Sequence, residues 1–285
     1  MKGHPYKGIV AALATMHLKE IAIAPPLSEI VGLRVVTPKG IDTDVLGTFA
    51  GDIPRVGSMG EVATRKARMG MKLANTAIGL ASEGTFGPHP AVPFATAGME
   101  LLKLVDDERG IEISESLVTA KIVFQSAIAR SVDELDSFLA RSRFPSHGLI
   151  ARPNRSENSA EIIKDILSRD DLVAAFDRLT AASIDGMVIV STDMRAHRNP
   201  TRMRSLSEIA SRFARRVASL CPVCACPGFG RSGQIEGLPC ETCGTPTRSP
   251  KSEVFACVAC GHQEIRARSD GRTHESPMHC DRCNP

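Results

Sequence analysis

The chain has 285 residues, 42% apolar and 24% charged, which excludes a largely disordered or collagen-like protein and leaves enough apolar surface for a sizeable core. No apolar run approaches the eighteen residues of a spanning helix, so no membrane partner is expected, and ten Phe, one Tyr and no Trp argue against base stacking on single strands. The net charge of +3 is too small to imply a polyanionic partner, and residues 219–285, with seven Lys/Arg and seven Asp/Glu, are formally neutral.

Lys2 and Lys7 ahead of Gly8–Thr15 faintly resemble a signal peptide. The apolar run is short, however, and His17, Lys19 and Glu20 follow at once. A buried first strand, Ile9–Leu13, is the better reading and points to the reducing cytoplasm. A helix-like segment follows and is interrupted by Pro25-Pro26; Leu33–Val36 is a second strand. Ser58-x-x-Glu61 is a capping box that opens a helix to about Ala74. Ile78–Ala81, Leu101–Val105 and Ile111–Ile113 read as strands, the last two joined by a turn at residues 106–110. A helix at Asp133–Ser142, capped by Ser131, precedes a strand at Gly148–Ala151. Glu161–Leu167 and Leu172–Leu179 read as helices and Met187–Val190 as a buried strand. The last element, Arg204–Leu220, sets Leu206, Ile209, Phe213, Val217 and Leu220 at helical spacing. Its arginines 204, 212, 215 and 216 read first as a solvated face. Alternating strands and helices predict an α/β domain over residues 1–218, a mixed central sheet flanked by helices. A small zinc-ribbon-type module over residues 219–285 follows.

All nine cysteines lie in that module. Eight form four CxxC pairs, Cys221/Cys224, Cys240/Cys243, Cys257/Cys260 and Cys280/Cys283, separated by 15, 13 and 19 residues. A CxxC turn aims two thiolates at one tetrahedral ion, so two structural zinc ions are expected. The gaps suit ribbons made by neighbouring pairs, and nested or crossed pairing is open as well. Cys226 is left over, and His262, His274 and His279 are not needed as ligands. Closed four-thiolate sites leave no place for a catalytic water. The neutral charge of the module disfavours tracking of nucleic-acid phosphates. A stabilising cap, a homo-oligomer surface or a protein-binding lobe fits it better.

Polar residues bunch at four places in the first 218 residues. These are Thr15–Glu20, Asp42-Thr-Asp44 with Gly47–Phe49 and Glu61–Arg68, Ser82–Pro90, and Thr192–Arg202. The first, third and fourth begin at the predicted carboxyl ends of strands, where α/β sheets place ligands. Singly, each reads as a helix turn, a loop cap, a turn-forming Gly/Pro run or a core histidine. Together they suggest a phosphate and metal site, because Lys and Arg neutralise phosphate oxygens and carboxylates hold Mg²⁺.

The stretches Ala81–Pro90, Phe144–Ile150, Thr192–Arg202 and the terminal Cys-Asp-Arg-Cys-Asn-Pro resemble a bacterial family of unknown function with a C-terminal cysteine module. The order of elements in the first domain also resembles, distantly, the house-cleaning inosine/xanthosine triphosphate pyrophosphatases. Thr15, His17 and Lys19 stand near that family's Thr-x-Asn-x-x-Lys turn, Lys66-Ala67 near its helical Lys-Ala step, Ser82-Glu83-Gly84 near its acidic Mg²⁺ turn, and Ala196-His197-Arg198 near its Ser-His-Arg. The departures are His17 for Asn, Lys19 one residue early, Ala196 for Ser, and Glu83 without a paired Asp. This second resemblance implies a Mg²⁺-dependent hydrolase of nucleoside triphosphates or of a related phosphorylated small molecule. Lys19, Glu83, His197 and Arg198 are then the candidate catalytic residues, and Asp42, Asp44, Lys66, Arg195 and Arg202 complete the binding set. The competing reading is a non-catalytic ligand-sensing or protein-interaction module with a structural zinc lobe.

Overall fold

A computed structural model describes residues 3–48, 53–90, 92–156 and 161–285. Phe49, in the second polar cluster, lies outside them.

The chain opens with β1 (Val10–Ala14), α1 (Glu20–Val31), β2 (Arg34–Val36) and α2 (Met59–Ala74). Then come three long strands, β3 (Ile78–His89), β4 (Val92–Asp106) and β5 (Ile111–Thr119). These strands form one mixed sheet in the order β2-β1-β3-β4-β5, with β1 parallel to both neighbours and β3, β4 and β5 antiparallel. A second sheet is built from β6 (Ser126–Ala129), β7 (Leu149–Pro153), β8 (Ile163–Ile166) and β9 (Val188–Thr192), in the antiparallel order β6-β9-β7-β8. Helices α3 (Asp136–Arg141) and α4 (Arg169–Ala182) pack on it, and their core of Leu135, Phe138, Leu172, Phe176, Val188 and Val190 is separate from that of the first sheet. Helix α5 (Pro200–Ala218) then returns to the first sheet.

Strand periodicity explains the packing. Leu13, Leu80, Leu102, Leu104 and Ile113 point to one face, against Ile23 and Leu27 of α1 and Ile209, Phe213 and Val217 of α5. Full burial of a side chain such as Phe213 or Leu27 contributes about 1.5–3 kcal/mol. Ala81 and Val105 point the other way, against Ala63, Ala67 and Met71 of α2. Small residues let α2 come close: a Cβ on Gly79 would lie 2.6 Å from the Ala67 carbonyl oxygen.

Several expected elements differ. Helix α1 runs through Pro25 and Pro26, carried by buried Ile23, Leu27 and Val31 at four-residue spacing, and it ends at Gly32 in the left-handed conformation. The capping box at Ser58 and Glu61 opens α2 as expected. Residues 161–167 are not a helix. The isoleucines of β8 extend the free edge of β7, and a second capping box, Ser168 with Asp171, holds the start of α4 at Arg169. A short 3-10 turn, Val132–Leu135, precedes α3, and the Ser131 side chain makes no capping bond. Strand β6 has no counterpart in the sequence reading. Helix α5 begins before Arg204 because Asn199 caps it and Pro200 occupies its first turn.

The C-terminal residues form a three-stranded antiparallel meander, β10 (Gly230–Glu236), β11 (Pro250–Ala256) and β12 (Gln263–Ala267). It touches the first sheet: a Cβ on Gly228 would fall 2.6 Å from Ile113, Cys226 packs on the first core, and Arg216 Nη1 donates to the Arg231 carbonyl at 2.7 Å. Among the described residues no helix is long and apolar enough to cross a membrane.

Candidate functional site

The chain gathers its buried charge where the β1–α1 turn, α2, the middle of β3 and β4, and the start of α5 meet. Lys19, which ends the β1–α1 turn, donates from Nζ to Ser82 Oγ at 3.0 Å. Lys66, on the buried face of α2, pairs with Glu83 Oε1 at 2.5 Å. Arg55 Nη2 reaches the other Glu83 oxygen at 3.3 Å and donates to the Gly84 carbonyl. Arg202, in the first turn of α5, binds Glu100 of β4 through Nε at 2.7 Å and Nη2 at 3.2 Å, while its Nη1 donates to the Met194 carbonyl. Gly84 stands opposite Glu100 in the ladder, and this pair needs the missing side chain: a Cβ there would lie 2.7 Å from Arg202 Nη2.

Charge does not balance in this cluster. Lys19, Lys66 and Arg202 are buried, against two buried carboxylates, Glu83 and Glu100. Arg55, 28% exposed, adds a fourth cation. Burial, with Arg202 and Lys66 close by, pushes the Lys19 ammonium down to about 7, against the opposing pull of Glu100 and Glu83. Four cations thus face two carboxylates, and the cluster is short of negative charge.

Two histidines border the cluster. The rings of His17 and His197 stack at 5.2 Å and 15°. Burial first, then Lys19, His197, Arg195 and Arg202, lower His17 to about 3. Burial, Arg195 and Arg198 lower His197 too. Both imidazoles are therefore neutral at neutral pH, and the buried His197 Nδ1 makes no hydrogen bond. Outside them, Asp193 grips Arg195 through both oxygens, and Asp165 takes Arg195 at 3.0 Å and Arg198 at 2.5 Å. A recess of about 10 Å³, room for one water molecule, opens between His17, Asp44, Lys164, Asp193 and Arg195.

Of the residues expected from sequence, Lys19, Lys66, Glu83 and Arg202 meet in the buried cluster, with His197 and Arg195 at its border. Arg198 stands apart on Asp165, at the edge of the second sheet. Asp44 lines the recess, whereas exposed Asp42 uses Oδ1 to cap the backbone of Asp44. Ser82–Gly84, expected as a turn at a strand end, lie inside β3, which continues to His89. Glu83 has both oxygens in ion pairs, and among the described residues no third group of His, Cys, Asp or Glu comes together as the cysteines do. Arg55, Glu100 and Asp165 were missed, and Asp193, inside the Thr192–Arg202 cluster, was given no role. Glu100 carries a signal: the one carboxylate in Met99–Val105, a stretch apolar except for Glu100 and Lys103, needs a partner if it is buried.

The eight CxxC cysteines form two groups, Cys221, Cys224, Cys257 and Cys260, and Cys240, Cys243, Cys280 and Cys283. Pairing is crossed, first with third and second with fourth. Closest Sγ···Sγ distances run from 3.6 to 3.9 Å, near the ~3.8 Å edge of a thiolate tetrahedron around an ion with metal–sulfur bonds of about 2.3 Å. Each group could hold a metal ion. Cys226 belongs to neither.

No curated protein and no solved structure matches the chain. A family described as a domain of unknown function (DUF6671) matches residues 66–285, from Lys66 of the buried cluster through the last cysteine pair, and the chain belongs to that family.

Proposed function

We propose that the buried cluster binds the phosphate groups of a phosphorylated small molecule, a nucleoside triphosphate foremost, and that the protein hydrolyses it. The observation that supports this reading is the surplus of buried cation over carboxylate. Lys19, Lys66 and Arg202, with Arg55 at the side, present ammonium and guanidinium groups that a phosphate would neutralise, the guanidinium in two-point fashion. Held in a dry site, the same groups would stabilise charge that develops on phosphoryl oxygens. The neutral His17 and His197 rings offer a flat border to a base or a phosphate. Mg²⁺ does not fit the carboxylates as they stand, since Glu83 is held by Lys66 and Arg55 and Asp42 caps a loop, so no step is routed through it. The cysteine groups are structural zinc sites in this reading, with every thiolate committed.

A second reading, a ligand sensor without turnover, draws on two observations: both buried carboxylates are engaged by cations, and the recess has room for no more than one water molecule. Calorimetric titration with a nucleotide panel and inorganic pyrophosphate, alongside phosphate release with and without Mg²⁺, separates the two. Binding with release supports the hydrolase. Binding without release under either condition supports the sensor. Absence of binding by any member of the panel refutes both.

A further inference from the structure

Helix α5 offers a different set of residues on another side of its first turns. Thr201, Arg204, Ser205 and Glu208 follow the i, i+3, i+4, i+7 spacing of a single helix face. They line a cavity of about 590 Å³ closed by Lys121 from the β5–β6 connection and Arg143 from the α3–β7 turn. We propose that this cavity is a second anion site, distinct from the buried cluster, that takes a small molecule bearing two or more phosphate groups.

Three observations carry it. Among the described residues no carboxylate pairs with Lys121, Arg143 or Arg204, and the one acidic side chain in the lining, Glu208, is bound to Arg212 at 2.7 Å. The wall beneath the cations is hydroxylic: Thr201 Oγ1 accepts from Arg204 Nη2 at 3.1 Å, and Ser205 is buried beside it. His147, buried in the Phe144–Ile150 stretch, sits behind that wall with Nε2 2.9 Å from Thr201 Oγ1. After burial, the charges of Arg143 and Arg204 are what hold its pKa down, which places both guanidinium groups close to this wall. Three uncompensated cations around hydroxyl donors, in a cavity of ligand size, suit a di- or triphosphate group better than an apolar or cationic ligand. The volume leaves room for more than the phosphates alone.

The test is equilibrium dialysis of the full chain against radiolabelled inorganic pyrophosphate, with Lys121→Glu/Arg204→Glu, Arg143→Glu and Lys19→Met. The double charge reversal is expected to weaken one class of binding at least tenfold and leave the class sensitive to Lys19→Met in place. Arg143 is exposed in a turn, so its single reversal gives the same reading should the double variant melt early. Loss on Arg143→Glu with no effect of Lys19→Met would uphold this site and refute the buried cluster as a phosphate site. Unchanged pyrophosphate binding in both charge-reversed proteins would overturn the second site, whatever Lys19→Met does.

Discussion

Replacing Lys19 by Met tests the charge imbalance directly. The ammonium is buried and pushed down to about 7, mainly by desolvation and then by Arg202 and Lys66. In the unfolded chain a lysine titrates near 10.4. Between those two values the unfolded state carries the extra proton, so stability rises with pH: the penalty is fully present below about pH 7 and gone above about pH 10.4. The slope is about 1.4 kcal/mol per pH unit, which makes the gain from about pH 7.5 to 9.5 roughly 2–3 kcal/mol. Urea unfolding followed by circular dichroism at both pH values gives this gain for wild type and for Lys19→Met. The difference between the two proteins isolates Lys19 from histidines and thiols common to both. Wild type should gain about 2–3 kcal/mol more than the variant over that range. Equal gains in the two proteins would show that the folded state holds Lys19 fully charged, and the inferred shortage of negative charge would fall with it.

Glu100→Gln leaves Arg202 buried beside Lys19 with no counter-charge and should cost about 3–5 kcal/mol in the same titration; a loss under about 1 kcal/mol would mean that water reaches the pair. Native mass spectrometry should find two metal ions per chain, one remaining in Cys240→Ser/Cys283→Ser and none in Cys221→Ser/Cys240→Ser; neighbour pairing would reverse those two results. Gly228→Ala, which pushes a methyl group into Ile113 at a backbone φ of +89°, should lower stability by about 1–3 kcal/mol in chemical unfolding, and an unchanged midpoint would mean that the meander does not dock there.

Much of the fold was legible because periodicity and caps are local. Ser58 with Glu61 announces α2, and Leu206, Ile209, Phe213 and Val217 mark the buried face of α5. What local pattern could not show was set by partners distant in sequence. Pro25 and Pro26 stay helical because α1 has α5 to lie on. Ile163–Ile166 become a strand because β7 has an open edge there, and the same change puts Asp165, at a φ of +63°, beside Arg195 and Arg198. In the candidate site, Lys19 and Glu83 stood out as charges next to apolar runs. Arg55 did not, since nothing near it in the chain marks it as part of a buried cluster.

The crossed cysteine pairing, left open by the sequence, follows from the meander. With one strand between successive CxxC turns and each strand reversing the last, odd turns fall at one end of the meander and even turns at the other. Neighbouring turns sit a strand length apart, about 24 Å for seven residues, far beyond the reach of one ion.

That arrangement sets a hazard for a chain made from its amino end. The first two CxxC pairs to emerge, Cys221/Cys224 and Cys240/Cys243, supply four thiols, a complete but mismatched ligand set that β10 alone does not keep apart. Seventeen more residues must be added before Cys260 exists, roughly one to three seconds of synthesis at about 5–20 residues per second. An ion captured during that interval would hold the nascent meander in a hairpin that must open before β11 can pair. Metal supplied after release from the ribosome should therefore give a higher yield of correctly folded chain than metal present throughout.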